Sequence, residues 1–212
     1  MEMDTGHPKA MTEAVRSVWL VEPLEGVGPL RFGMLTSEVR AALPTAFELS
    51  SFQADPHYPW ICGLQFGFSP ATPAVYAYFD SDGLLYCVTI DAAHGPQVTL
   101  HGLELTGHDP DALEEQLLEL PWSADHVSYG PRGNPGINAL GLVMRAQETD
   151  RGLRTRPVLV ARGWADRCVD DYEGPIPECE WLGREWPQLG RSEHLCGVGD
   201  EPTWPHGWRP PF

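Results

Sequence analysis

Basic residues are scarce in this chain. Its 212 residues carry thirty acids against fourteen bases, a formal charge of −16, and Lys9 is the only lysine. A field of that sign repels phosphate backbones and anionic lipid, so neither nucleic acid nor a membrane surface is an expected partner. Basic proteins, in contrast, are drawn in and meet such a chain faster. The same charge would also serve solubility alone.

Long apolar runs are missing too. No stretch approaches the roughly 18 apolar residues of a membrane span. The opening MEMDTGHPKAMTEAVRSVWLVE lacks the basic and then apolar regions of an export signal. The expected compartment is the cytoplasm. Cysteines are few and irregular: Cys62, Cys87, Cys168, Cys179 and Cys196 are odd in number and unevenly spaced, unlike a disulfide framework.

Catalytic signatures are equally thin. No serine sits in a G-x-S-x-G elbow, and nothing marks Cys62 or Cys87 as an activated nucleophile. GPRGNPG at 130–136 lacks the lysine and hydroxyl of a phosphate loop, and GVGPLRFG has the wrong glycine spacing for a dinucleotide fold. Both read as turns, and no cofactor is expected. Asp80 with Asp82 has no glutamate at the distance an EF-hand needs, and Asp91 with His94 reads as a pair of loop residues after a strand.

What is present is the composition of a folded protein, 42% hydrophobic and 21% charged. Residues 1–13 lack periodicity and read as a disordered leader. Val15 to Glu22 is rich in β-branched residues and reads as a strand. A short helix follows, with Thr36 as N-cap, Glu38 in its first turn and Pro44 as its stop. Strands are expected at Phe47–Phe52, Trp60–Phe68, Val75–Phe79 and Leu84–Ile90, the last two joined by a tight turn at Asp80-Ser81-Asp82-Gly83. Alternation puts Val75, Ala77 and Phe79 with Tyr86, Val88 and Ile90 on one face, and Tyr76, Tyr78, Cys87 and Thr89 on the other.

VTLHGLELTG reads as a further strand, and Asp109-Pro110 opens a second helix whose Leu113, Leu117 and Leu120 face a core. Two strands, Ile137–Gln147 and Arg156–Arg162, complete this half. Gly28, Gly33, Val39 and Leu43 are matched 74 positions later by Gly102, Gly107, Leu113 and Leu117. The expected fold is therefore α+β: a tandem pair of helix plus antiparallel β-meander units, 14–97 and 98–163. An irregular Trp/Pro-rich C-terminal arm, 164–212, would wrap over the sheet.

The segment GVGPLRFGMLTSEVRAALP, with its Gly33-Met34 step, helix start at Thr36 and Glu38-Val39 pair, resembles the repeat opening of the β-lactamase-inhibitor-protein-like fold. It is also similar to the SmpA/OmlA lipoproteins and to uncharacterised bacterial proteins, some of them of suspected immunity type. The resemblance extends over about residues 15–163. It implies two helix-plus-sheet repeats and a habit of binding proteins through an exposed sheet face. It does not imply β-lactamase as target, since export signals and the inhibitor's paired cysteines are missing here.

These readings favour an inhibitor or immunity-type protein with a basic partner such as a toxin. Trp60, Tyr76 and Tyr78 would be exposed on the sheet as contact area, and Asp170, Asp171 and Glu173, continued by Glu178 and Glu180, would form an anionic strip. Two alternatives stand beside it. One is an enzyme with a site in the cleft between the repeats. The other is a scaffold held by zinc through Cys168, Cys179, His194 and Cys196, whose spacing lacks a Cys-x-x-Cys knuckle.

Overall fold

The computed structural model describes residues 16–70, 72–120, 127–171, 173–181 and 186–187. The expected leader at 1–13, with His194, Cys196 and the closing TWPHGWRPPF, lies outside the described residues. In chain order the first elements are Val18–Glu22 (β1), Gly26–Val27 (β2), Leu30–Arg31 (β3) and the helix Thr36–Ala42 (α1). Phe47–Gln53 (β4), Cys62–Gly67 (β5), Val75–Phe79 (β6) and Leu85–Ile90 (β7) follow. Gln97–Leu100 (β8) and Leu103–Glu104 (β9) precede the helix Pro110–Glu119 (α2). Ser128–Tyr129 (β10), Pro135–Ile137 (β11), Leu142–Thr149 (β12) and Gly152–Val160 (β13) complete the strands.

The result is a sheet-rich α+β fold. One sheet has eight antiparallel strands in the order β10-β11-β12-β13-β7-β6-β5-β4. The other has five, β3-β2-β1-β8-β9, with one parallel pair where Trp19 of β1 lies opposite Val98 of β8. Strands from either side of residue 97 therefore share both sheets. Among the described residues no helix is long and apolar enough to cross a membrane.

Local chemistry explains the best-marked elements. In the β6–β7 turn, Asp80 Oδ1 accepts the backbone N–H groups of Asp82 and Leu84, both at 3.0 Å, and Gly83 takes a φ of 75°. The face assignment fails at one residue. A bulge pairs Tyr78 with Cys87 but Phe79 with Leu85, so Tyr86 is left over and packs with Tyr76 and Tyr78 on the other face. The single strand expected at 98–107 is a hairpin instead. His101 and Gly102 both adopt left-handed φ, 50° and 86°, the pair of conformations a two-residue turn requires.

At α2, Asp109 accepts the Ala112 N–H at 3.2 Å with Pro110 in the first helical position, as the sequence indicates. At α1 the N-cap is Leu35 rather than Thr36. Leu35 is still extended because it bridges Leu84, and its N–H is bound by Glu38 at 2.7 Å.

The large sheet is covered on both faces. On one side Val39 and Leu43 of α1, Leu113 and Leu117 of α2, and Trp19, Val27 and Leu30 of the small sheet pack against Val75, Ala77, Phe79, Val88 and Ile90. Each buried leucine here stabilises by about 1.5–3 kcal/mol relative to exposure. On the other side Tyr76, Tyr78, Cys87, Val143, Val158 and Val160 meet Ala165, Cys168, Ile176, Cys179 and Trp181. That second cover is a strap built from 3-10 turns at Arg162–Arg167 and Glu178–Glu180.

Candidate functional site

Strand alternation carries two arginines onto the strap-covered face. Arg145 of β12 and Arg156 of β13 are direct cross-strand partners, 1% and 0% exposed. Like charges set opposite each other destabilise a sheet, and buried ones demand counter-charge. The strap supplies most of it. Glu180 receives Arg156 in a fork, with Nη2 to Oε1 at 2.9 Å and Nε to Oε2 at 3.0 Å, and also accepts the Tyr78 hydroxyl. Asp171 accepts Arg145 at 3.2 Å, with Arg132 at 3.6 Å from its other oxygen.

The sheet adds the rest. Asp91, just past β7, lies 3.5 Å from Arg156, which also donates to Gln147 at 2.9 Å and stands 4.4 Å over the Tyr76 ring. Burial opposes the charge on Arg156, but Glu180, with Tyr76 and Asp91, outweighs it and holds the guanidinium above its ordinary value. At Arg145 burial prevails over Asp171 and the value falls. Burial would raise Asp91, yet Arg156, Gln147 and the N–H groups of His94 and Ala93 keep its carboxyl below the usual range. This network is buried between the strap and the sheet. It fastens the strap to the sheet.

Two expectations about the surface are corrected by that arrangement. Tyr76 and Tyr78 are not exposed: at 3% and 0% exposure they lie beneath the strap, because the face expected to be open is the second core. The acidic run is not one strip either. Asp171 and Glu180 are buried against the arginines, Asp170 is half-buried and caps the Glu173 N–H at 3.1 Å, and Glu173 is exposed.

Of the four proposed zinc ligands, His194 and Cys196 lie outside the described residues. Cys168 donates to Asn138 Oδ1 at 2.9 Å, and its thiol is pushed up by burial to about 12, which favours the protonated form over a metal-binding thiolate. Cys179 lies 3.7 Å from the Tyr78 hydroxyl. Among the described residues no group of three or more His, Cys, Asp or Glu side chains is placed to hold a metal. A hollow lined by Leu117, Val127, Ile137 and Met144 is apolar and too tight for water.

Trp60 alone of the expected aromatic contacts stands free, 55% exposed. It belongs to a loop, 54–61, that is held from within. Asp55 is 7% exposed, and its Oδ1 accepts the N–H groups of His57 and Tyr58 at 2.8 and 3.2 Å. Gln53 binds the Asp55 carbonyl at 2.8 Å, and Ala54 and Ile61 close the loop at 3.0 Å. Tyr58, 46% exposed, packs edge-on to Trp60 with centroids 5.5 Å apart. The strap reaches this loop as well. The Glu178 N–H donates to Asp55 Oδ2 at 3.2 Å, and His57 Nε2 stands 3.5 Å from Glu178 Oε2.

Sequence reasoning passed over Tyr58, Asp55 and the two arginines. A usable signal existed for the arginines: each interrupts an apolar strand, LVMRAQ and RTRPVLV, where only a paired charge is tolerated. No protein-family model matches the chain, and no curated protein or solved structure does either.

Proposed function

We propose that the protein binds a basic protein partner, as an inhibitor or immunity-type protein acting in the cytoplasm, through the surface around Tyr58 and Trp60. The observation that carries this reading is the aromatic pair itself: two large rings, about half exposed, on a loop pre-set by Asp55. Rigid exposed aromatics are the residue type that dominates protein interfaces, and ordering them beforehand lowers the entropy lost on binding. The net charge of −16 supplies the steering, and burial of Arg145 and Arg156 removes two of the few positive charges from the surface.

The chain also reads as a tandem pair of helix-plus-meander units. Gly28 and Gly102, like Gly33 and Gly107, all take positive φ. Val39 and Leu113 are both fully buried, with Leu43 and Leu117 at 5% and 2%. Each helix precedes four strands that keep sequence order in the large sheet, β4 to β7 and β10 to β13, and the two sets meet at β7 and β13. These matches support a duplication, and with it the resemblance to the β-lactamase-inhibitor-protein-like fold. In that comparison this chain differs by using its second sheet face for the strap.

The test is co-purification with the product of the neighbouring gene, for the wild type and for Tyr58→Ala/Trp60→Ala. The expected result is a basic partner held by the wild type, weakened by salt, and lost or at least about tenfold weaker in the variant, as for an interface anchor. A complex indifferent to both rings would move the interface elsewhere. Absence of any complex would remove the reading.

A further inference from the structure

We propose that the Tyr58–Trp60 loop and Glu178 together form a subsite for a single arginine side chain of the partner. This deepens the reading above and rests on it. The carboxylate is the reason. Glu178 is brought to the loop by the bond from its own N–H to Asp55, yet its Oε2 accepts no hydrogen bond. His57 Nε2 faces that oxygen at 3.5 Å, from a side chain that is 65% exposed.

Arg132 also acts on the Glu178 charge from a distance, while its own contacts include Asp171 at 3.6 Å and the Trp181 ring, 5.7 Å away. A carboxylate held half-desolvated beside Asp55 is costly, and burial followed by Asp55 raises its proton affinity above the usual range. A guanidinium would answer both features at once. Its fork matches a carboxylate and its planar face stacks on an aromatic ring, whereas a lysine ammonium offers neither geometry. Displacement of His57 opens the route, so the imidazole acts as a cover and contributes nothing to recognition.

The experiment is titration of the full chain with N-acetyl-arginine amide, followed by the NMR signals of the Trp60 indole N–H and the Tyr58 ring. N-acetyl-citrulline amide, of nearly the same shape and no charge, is the control. The expected result is a saturable shift at both rings, about three- to tenfold weaker with citrulline and in Glu178→Gln, in line with loss of one partly exposed charged contact. His57→Ala should bind arginine as well as the wild type or better. Remaining signals unchanged in Glu178→Gln would show the fold intact. No saturable shift, equal shifts from citrulline, or unaltered binding in Glu178→Gln would each overturn the subsite. The broader reading would then stand or fall separately on the co-purification with Tyr58→Ala/Trp60→Ala.

Discussion

Replacing Glu180 with glutamine should leave Arg156 charged, buried and short of its main partner. The guanidinium and the carboxylate are both 0% exposed and joined by two bonds of 2.9 and 3.0 Å. Removing one side of such a pair costs about 3–5 kcal/mol, because the survivor's desolvation is no longer offset. Here Asp91 at 3.5 Å, Gln147 at 2.9 Å and the Tyr76 ring remain to share the charge, which sets the expectation near the lower bound, about 3 kcal/mol. Arg156→Met should cost a similar amount, since the buried Glu180 would lose both bonds of the fork.

The double variant Arg156→Met/Glu180→Gln should cost well below the sum, with a coupling of about 2 kcal/mol or more. Urea unfolding followed by tryptophan fluorescence measures all four corners, with Trp181 reporting directly on the strap. Additive single effects, with coupling below about 0.5 kcal/mol, would refute the claim that this pair fastens the strap.

Two further outcomes follow from the same groups. Asp91 has a folded-state carboxyl below its usual range, so its contribution is present above the unfolded value of about 3.9 and is lost as pH falls through the lower folded value. The stability gap between wild type and Asp91→Asn should therefore be widest near neutral pH and shrink below about pH 4; a gap constant across that range would contradict the assignment. Among the described cysteines, Cys62 is exposed and Cys87, Cys168 and Cys179 are buried. Mass-spectrometric mapping of native alkylation should find Cys62 modified before Cys87, Cys168 and Cys179, and labelling of Cys168 or Cys179 at an equal rate would mean that the strap opens readily.

The elements legible in the sequence were those whose causes lie within a few residues. Asp80 and Gly83 contain the whole chemistry of their turn, and Asp109-Pro110 contains that of the α2 start. Where a neighbour far along the chain intervened, local reading slipped. Leu84 holds Leu35 extended and so takes the cap from Thr36, and the bulge opposite Phe79 turns Tyr86 over. Trp60 stands out in the sequence as an exposed aromatic, but its edge-on neighbour Tyr58 and the strap residue Glu178 are both tied to its loop through Asp55.

By itself the sequence determined the acidity, the β-rich alternation, the two short helices and the Asp109 cap of α2, because composition, period and that cap act locally. Tertiary structure alone decided which tyrosines see solvent, which acids are spent on buried arginines, and that strands from both halves share each sheet. The physical reason is one of distance along the chain. A face is open or covered according to whether a segment far away in sequence lies on it, and the charge that makes Arg156 tolerable is supplied by Glu180, 24 residues further on.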